Sequence, residues 1–305
     1  MDKMFKRFYK GFYLGTNFIP VKPIGQAVYP GDFFQIRNGN MLRLGNIYWN
    51  NIVRKENCQL GSNTFEHLRN WYVSEAVSQA YTEKETGEGS FENVNFSKKI
   101  MAFNAPGSYF FYGEQPKSLK ILNWAEIQAG LIIKLTQTLF SFRELYVVTE
   151  TASTANWTLA ISNSDKGELE IITESERSGY LGFVDFEKAK TIQSKDIEYY
   201  YKENHRKPMF FKAKKLKVQQ EPQDVFISQL IDQEVSMSDW ANDFFNNDFY
   251  SESGVLTNQN PVRSQANVLD MLQANELNPN TAQQYFTWAD ANLDDIELLF
   301  RSYAS

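Results

Sequence analysis

LYVVTETASTANWTLAISNSDKGELEI, residues 145–171, is the stretch on which the fold class turns. Threonine and branched residues alternate along it, and the turn-forming runs "STAN" and "SDKG" break the alternation twice. The pattern predicts three strands joined as a β-meander.

Working outward, the same period of two recurs. "VYPGDFFQIRNGNMLRLGNIYW" (28–49) predicts a hairpin reversing at Asn38-Gly39. "FENVNFSKKIMAFNAPGSYFFYGE" (91–114) reads as strand, Pro-Gly turn, strand. In "MFFKAKKLKV" (209–218) the apolar phase shifts from Phe211 and Ala213 to Leu216 and Val218, as a strand with a bulge would show, and its lysines are expected along one solvent face. A lysine-protected edge strand accounts for the same residues.

Two stretches carry helical spacing instead. Phe65, Leu68, Tyr72, Ala76 and Gln79 predict a helix over 64–79. Ile121, Trp124, Ile127 or Gln128, Leu131, Leu135 and Leu139 predict an amphipathic one within 118–140. The charged segment 186–206 reads as partly helical.

Aromatic residues make up 15% of the chain, with 24 Phe and 16 Tyr, a usage that favours half-buried pleated surfaces and a β-rich fold. A single cysteine, Cys58, allows no internal disulfide, and no apolar stretch with a small-residue cleavage site follows Met1, so a cytoplasmic chain is expected. No run approaches the roughly 18 consecutive apolar residues of a spanning helix.

Chemical signatures are sparse. His67 and His205 are the two histidines, which gives no HExxH and no Cys/His zinc set. Phosphate-loop, dinucleotide and nucleophile-elbow motifs are absent too. A Cys58/His67 or Cys58/His205 dyad, or a carboxylate pair among Glu126, Glu144 and Glu150, is the remaining catalytic option, but a lone cysteine is more often a small buried hydrophobe. The expectation is therefore no enzyme, no catalytic residue, no cofactor, no metal and no nucleic-acid partner.

Charge is distributed unevenly. Residues 1–218 hold 29 Lys+Arg against 23 Asp+Glu, a net of +6, and 219–305 hold 2 against 14, a net of −12; the two sum to −6. This divides the chain into a basic β-rich body (1–218), an acidic-aromatic linker or docking segment (219–264) and a short helical C-terminal region (265–305). In the last, Tyr285, Phe286 and Ala289, then Leu293, Ile296 and Leu299, are spaced for short helices. A tethered acidic tail sees the basic body at roughly millimolar local concentration, and docking there would mask it. The basic, aromatic start "MDKMFKRFYKGFYLGTNF" suits an anionic surface, or an ordinary solvated terminus packing its rings on the body.

The order of elements resembles that of bacterial gasdermins over about residues 8–218. The resemblance rests on "LRLGNI" (42–47), "FENVNFSKKI" (91–100), the helix that follows, residues 145–171, and "KPMFFKAKKLKV" (207–218). It implies an α+β fold, a twisted and mainly antiparallel sheet with peripheral helices, held inactive by a C-terminal segment whose removal lets the body permeabilise membrane as an oligomer. On this reading Lys3, Lys6, Arg7, Lys10, Lys212, Lys214, Lys215 and Lys217 would meet anionic lipid at the inner membrane face. Trp240, Phe244, Phe245 and Phe249 would anchor the tail until a protease or protein partner displaces it. The competing expectation is a non-enzymatic adaptor of a larger cellular or viral assembly, its C-terminal region binding a partner protein.

Overall fold

The computed structural model describes residues 2–65, 70–84, 95–138, 144–175, 190–218 and 285–301. The chain is α+β and mainly antiparallel, with an eight-stranded sheet followed by two four-stranded sheets.

In the large sheet the path runs β1 (Ile19–Pro20), β15 (Lys207–Val218), β10 (Leu145–Thr154), β2 (Asp32–Arg37), β3 (Asn40–Asn46). Strand β9 (Lys117–Ile121) also pairs with β10 and with β4 (Leu60–Thr64), and β16 (Phe286–Asp290) pairs with β15. The expected hairpin is present. Asn38 and Gly39 both take positive φ, 47° and 74°, the pairing a tight two-residue reversal requires.

Both faces of the central strands are covered, so β10 reads as an apolar run. Tyr146 and Val148 face one cluster with helix α1 (Asp2–Thr16), and Leu145 and Val147 face another with helix α2 (Trp124–Thr138). This also explains the phase shift in 209–218. Ala213 packs on the α1 side and Leu216 on the α2 side, with no bulge between them; the irregularities of this pair lie at Val148/Glu150 and Ala152/Ser153. Nor is β15 a bare edge, since β10 lines one side of it and β1 and β16 the other. Its lysines do not share a face: Lys214 and Lys215 are adjacent, and successive side chains of a strand point opposite ways.

The two smaller sheets are two lengths of the same four strands. The middle sheet is ordered β14 (Ile197–Glu203), β11 (Trp157–Ser162), β8 (Tyr109–Glu114), β5 (Asn70–Glu75). The distal sheet is ordered β13 (Lys190–Lys195), β12 (Gly167–Ser175), β7 (Asn95–Phe103), β6 (Val77–Lys84). Each strand crosses from one sheet to the other through a break: Ala76 at φ 52°, residues 104–108 with Gly107 at φ 79°, residues 163–166, and Asp196 at φ 53°.

Four expectations are corrected by this arrangement. The three strands of 145–171 exist, but they are no meander, because each belongs to a different sheet. The Pro-Gly of 91–114 interrupts a continuing strand without reversing it. In the described part of the helix expected over 64–79, strands stand at 70–75 and from 77 on, where the 3–4 spacing lost to Trp71 packing into the core and to the left-handed backbone of Ala76. Strands β13 and β14 likewise occupy the segment read as partly helical. The predicted amphipathic helix is present as α2, with Ile121 belonging to β9 before it.

The N-terminal segment is a helix that buries Phe8, Tyr9 and Phe12. Phe12 stacks on Phe210 at 4.6 Å and meets Trp71 edge-on at 5.6 Å, geometries favoured by the ring quadrupoles. Gly11 lets α1 sit this close, for a Cβ there would collide with the Tyr109 hydroxyl.

Candidate functional site

Residues 285–301 return to the body and grip it on both faces of the large sheet. Strand β16 extends the sheet beside β15, with Val218 opposite Phe286 and Lys214 opposite Asp290. A strand stands where Tyr285, Phe286 and Ala289 predicted a helix, because the edge of β15 offers ladder hydrogen bonds there. Alternate residues Phe286 and Trp288 turn toward α2, where Trp288 meets Trp124 at 5.1 Å and donates its indole N–H to the Gln128 carbonyl at 3.1 Å. The chain then crosses the sheet edge and forms helix α3 (Leu293–Leu299) against α1. Ile296 and Leu299, 0% and 1% exposed, enter the α1-side cluster, and Phe300 meets Tyr9 edge-on at 4.9 Å.

Asp295 organises this helix and attaches it. Its Oδ2 accepts the Asn292 backbone N–H at 2.7 Å, half of a capping box, and its Oδ1 accepts from Lys215 Nζ at 2.9 Å and from the Tyr146 hydroxyl at 2.7 Å. All three side chains of that cluster are buried. Burial pulls the Lys215 ammonium down, but the hydrogen bond and charge of Asp295, with the charge of Glu144, outweigh it, so the net direction is up. The Tyr146 phenol is pushed well up by burial and by the same two carboxylates.

At the exposed edge of α3, Glu297 takes both Lys6 and Lys10 of α1. Hydrogen bonds from Lys10 and Lys6 hold its carboxyl below the usual range. Lys22 closes the far end of the helix, donating to the Leu299 carbonyl at 2.6 Å with its ammonium 4.2 Å over the Phe300 ring.

The basic residues singled out from sequence therefore divide into three groups. Lys6, Lys10, Lys214 and Lys215 are paired with acidic residues of the C-terminal segment: Glu297, Glu297, Asp290 and Asp295. Arg7 and Lys212 are engaged by the body, Arg7 through Glu75 at 2.8 Å and the Pro106 carbonyl, Lys212 through Glu150 at 3.1 Å. Lys3 and Lys217 are exposed.

The proposed anchors Trp240, Phe244, Phe245 and Phe249 lie outside the described residues, as does His67. Phe286, Trp288, Ile296, Leu299 and Phe300 are the apolar anchors the structure places. Sequence reading missed Asp290, Asp295, Glu297 and Lys22. A signal existed for α3, since Asn292 followed three residues later by Asp295 and then an apolar run is a helix-start pattern, but nothing local named their partners.

The other chemical candidates are also placed. Cys58 packs beside the α2-side cluster, and His205 is exposed in the turn between β14 and β15. Glu144 and Glu150 serve different lysines, Lys215 and Lys212, and Glu126 lies in the first turn of α2. Among the described residues no helix is long and apolar enough to cross a membrane, which says nothing of strands.

Compared with protein-family models and with curated proteins, the chain matches none. Among solved structures it is similar to a bacterial gasdermin from Bradyrhizobium tropiciagri. The two are 8% identical, the match covers 68% of this chain and 85% of that one, and the TM-score is 0.32.

Proposed function

We propose that this chain is a gasdermin-like, autoinhibited, membrane-active protein. Its basic body binds anionic lipid and, as an oligomer, permeabilises the bilayer once the C-terminal segment is displaced or cut away from the rest. The gasdermin reading comes from the sequence resemblance over residues 8–218.

One observation carries the autoinhibition. Four of the eight basic residues assigned to lipid contact are covered by three acidic side chains of one returning segment, and that segment also adds a strand to β15 and a helix to α1. A surface that attracts anionic lipid gains about 1 kcal/mol for each nearby Lys or Arg. Acidic residues placed on Lys6, Lys10 and Lys214 compete with the lipid directly. Two lysines of α1 held by one glutamate make the competition local to the N-terminal helix.

Dye release from anionic and neutral vesicles tests the proposal. The intact chain is compared with a form cut at an engineered protease site within 219–223, each with and without Ile296→Ala to loosen α3. Leakage from anionic vesicles that appears on cutting and grows with the Ala variant is the expected result. No vesicle binding and no leakage by the cut Ala variant, with the body still folded, would overturn it.

A further inference from the structure

Glu144, the residue immediately before β10, stands beside the same two groups that Asp295 holds. Its Oε2 lies 3.0 Å from the Tyr146 hydroxyl and 3.7 Å from Lys215 Nζ. Asp295 Oδ1 lies 2.7 Å and 2.9 Å from those atoms. A phenol has one proton to donate, so the two carboxylates cannot both accept it. They also share one ammonium, which leaves the cluster with an excess of negative charge next to buried groups, and like charges so placed repel.

We infer that docking of the C-terminal segment is a carboxylate exchange at Lys215: Asp295 takes the ammonium and the Tyr146 hydroxyl when α3 docks, and Glu144 takes both when α3 leaves. The inference rests on the reading that the segment leaves, and it adds how that is made reversible. Removing one partner of a buried ion pair normally strands the other charge, which is strongly unfavourable. Here the body supplies its own replacement from a position already within reach. The Lys215 ammonium is never stranded.

A second consequence concerns which charges are uncovered. Lys215 passes from one carboxylate to another and Lys212 stays with Glu150, so neither becomes available to an anionic surface. Among the described ion pairs Lys6, Lys10 and Lys214 are held by the C-terminal segment alone, and these are the ammoniums that its departure frees.

Backbone amide hydrogen exchange across 286–299, in the full chain and without membranes, tests the exchange. Glu144→Gln removes the rival charge and its repulsion and leaves only a weaker, neutral acceptor, so exchange in 286–299 should slow several-fold. Asp295→Asn should speed it, and should do so by a larger factor in the Glu144→Gln background, where no carboxylate remains for Lys215. Unchanged or faster exchange in Glu144→Gln, or an equal Asp295→Asn effect in both backgrounds, overturns the inference. Amides of β10 and β15 report on the body, and Glu144→Ala is the second variant. Loss of protection throughout the body in both would make Glu144 a support of the closed fold and overturn it as well. Leakage plays no part here, so a silent leakage assay with the exchange pattern intact would overturn the membrane reading and leave this one standing.

Discussion

Val218 and Phe286 are direct partners across an antiparallel ladder, although all of 219–285 lies between them. That intervening stretch acts as a tether, and a tether raises the local concentration of what it carries without adding a contact.

Cutting within 219–223 should therefore leave residues 286–299 docked at high protein concentration and release them on dilution. The thermal midpoint of the cut form should rise with protein concentration, whereas that of the intact chain should not. Differential scanning over a hundredfold dilution series checks this. A concentration-independent midpoint in the cut form would mean that docking needs no tether.

Glu297 supplies the acid dependence. Its carboxyl is lowered by the hydrogen bonds of Lys10 and Lys6, so its stabilisation is complete above the ordinary carboxylate value and is lost as pH falls through the lowered one. The three side chains are each about a third exposed or more, so the effect is modest, about 0.2–1 kcal/mol, and screened by salt. Between pH 7 and pH 3 at low salt, protection of α3 against exchange should fall more in the wild type than in Glu297→Gln. High salt should bring the two together.

Gly11 should resist substitution for a reason outside its helix propensity. Gly11→Ala drives a methyl into the Tyr109 hydroxyl, and overpacking of this kind costs about 1–3 kcal/mol. Tyr109→Phe removes the nearest obstructing atom but leaves the ring carbon behind it 2.7 Å from the new methyl, so the double variant should recover part of the loss. Denaturant unfolding of the four proteins measures it, and strict additivity would contradict the packing account.

On the α1 side of the sheet, Ile296→Ala should cost about 2–5 kcal/mol of docking, because the side chain is completely buried. Trp288→Phe, on the α2 side, loses one hydrogen bond to Gln128 and part of a ring contact, about 0.5–1.5 kcal/mol. Lys3→Ala, at an exposed position, should leave docking unchanged. Limited proteolysis of the C-terminal segment should rank the three in that order.

How far the sequence revealed this fold depended on whether the deciding contacts were local. The Asn38-Gly39 hairpin was readable because two adjacent residues fix the reversal, and α2 because its apolar stripe spans several turns. The 64–79 region was not, since Trp71 is held by Phe12, Phe18 and Phe210, residues remote from it in the chain. Strand identity in 145–171 was legible, but sheet membership was not, because alternation says which face a residue takes and is silent on its neighbours. For the site, the charge step announced that an acidic region could cover a basic one. It could not tell that Glu297, Asp290 and Asp295 do the covering, since an acidic side chain looks the same in sequence whichever lysine it meets.

The breaks that separate the middle and distal sheets fall at one level in all four strands, and each strand resumes its pairing on the far side. Each break thus works as a spacer whose length sets the phase: Ala160 and Leu169, nine positions apart, share one cluster across 163–166, as Phe110 and Phe103 do across 104–108. Adding one residue to 163–166 would leave the middle sheet untouched and turn the distal length of that strand inside out, sending Leu169 from the core to solvent. Chain length in these short joints is consequently constrained as tightly as any side chain in the core, and a comparison that scores only residue identity would overlook it.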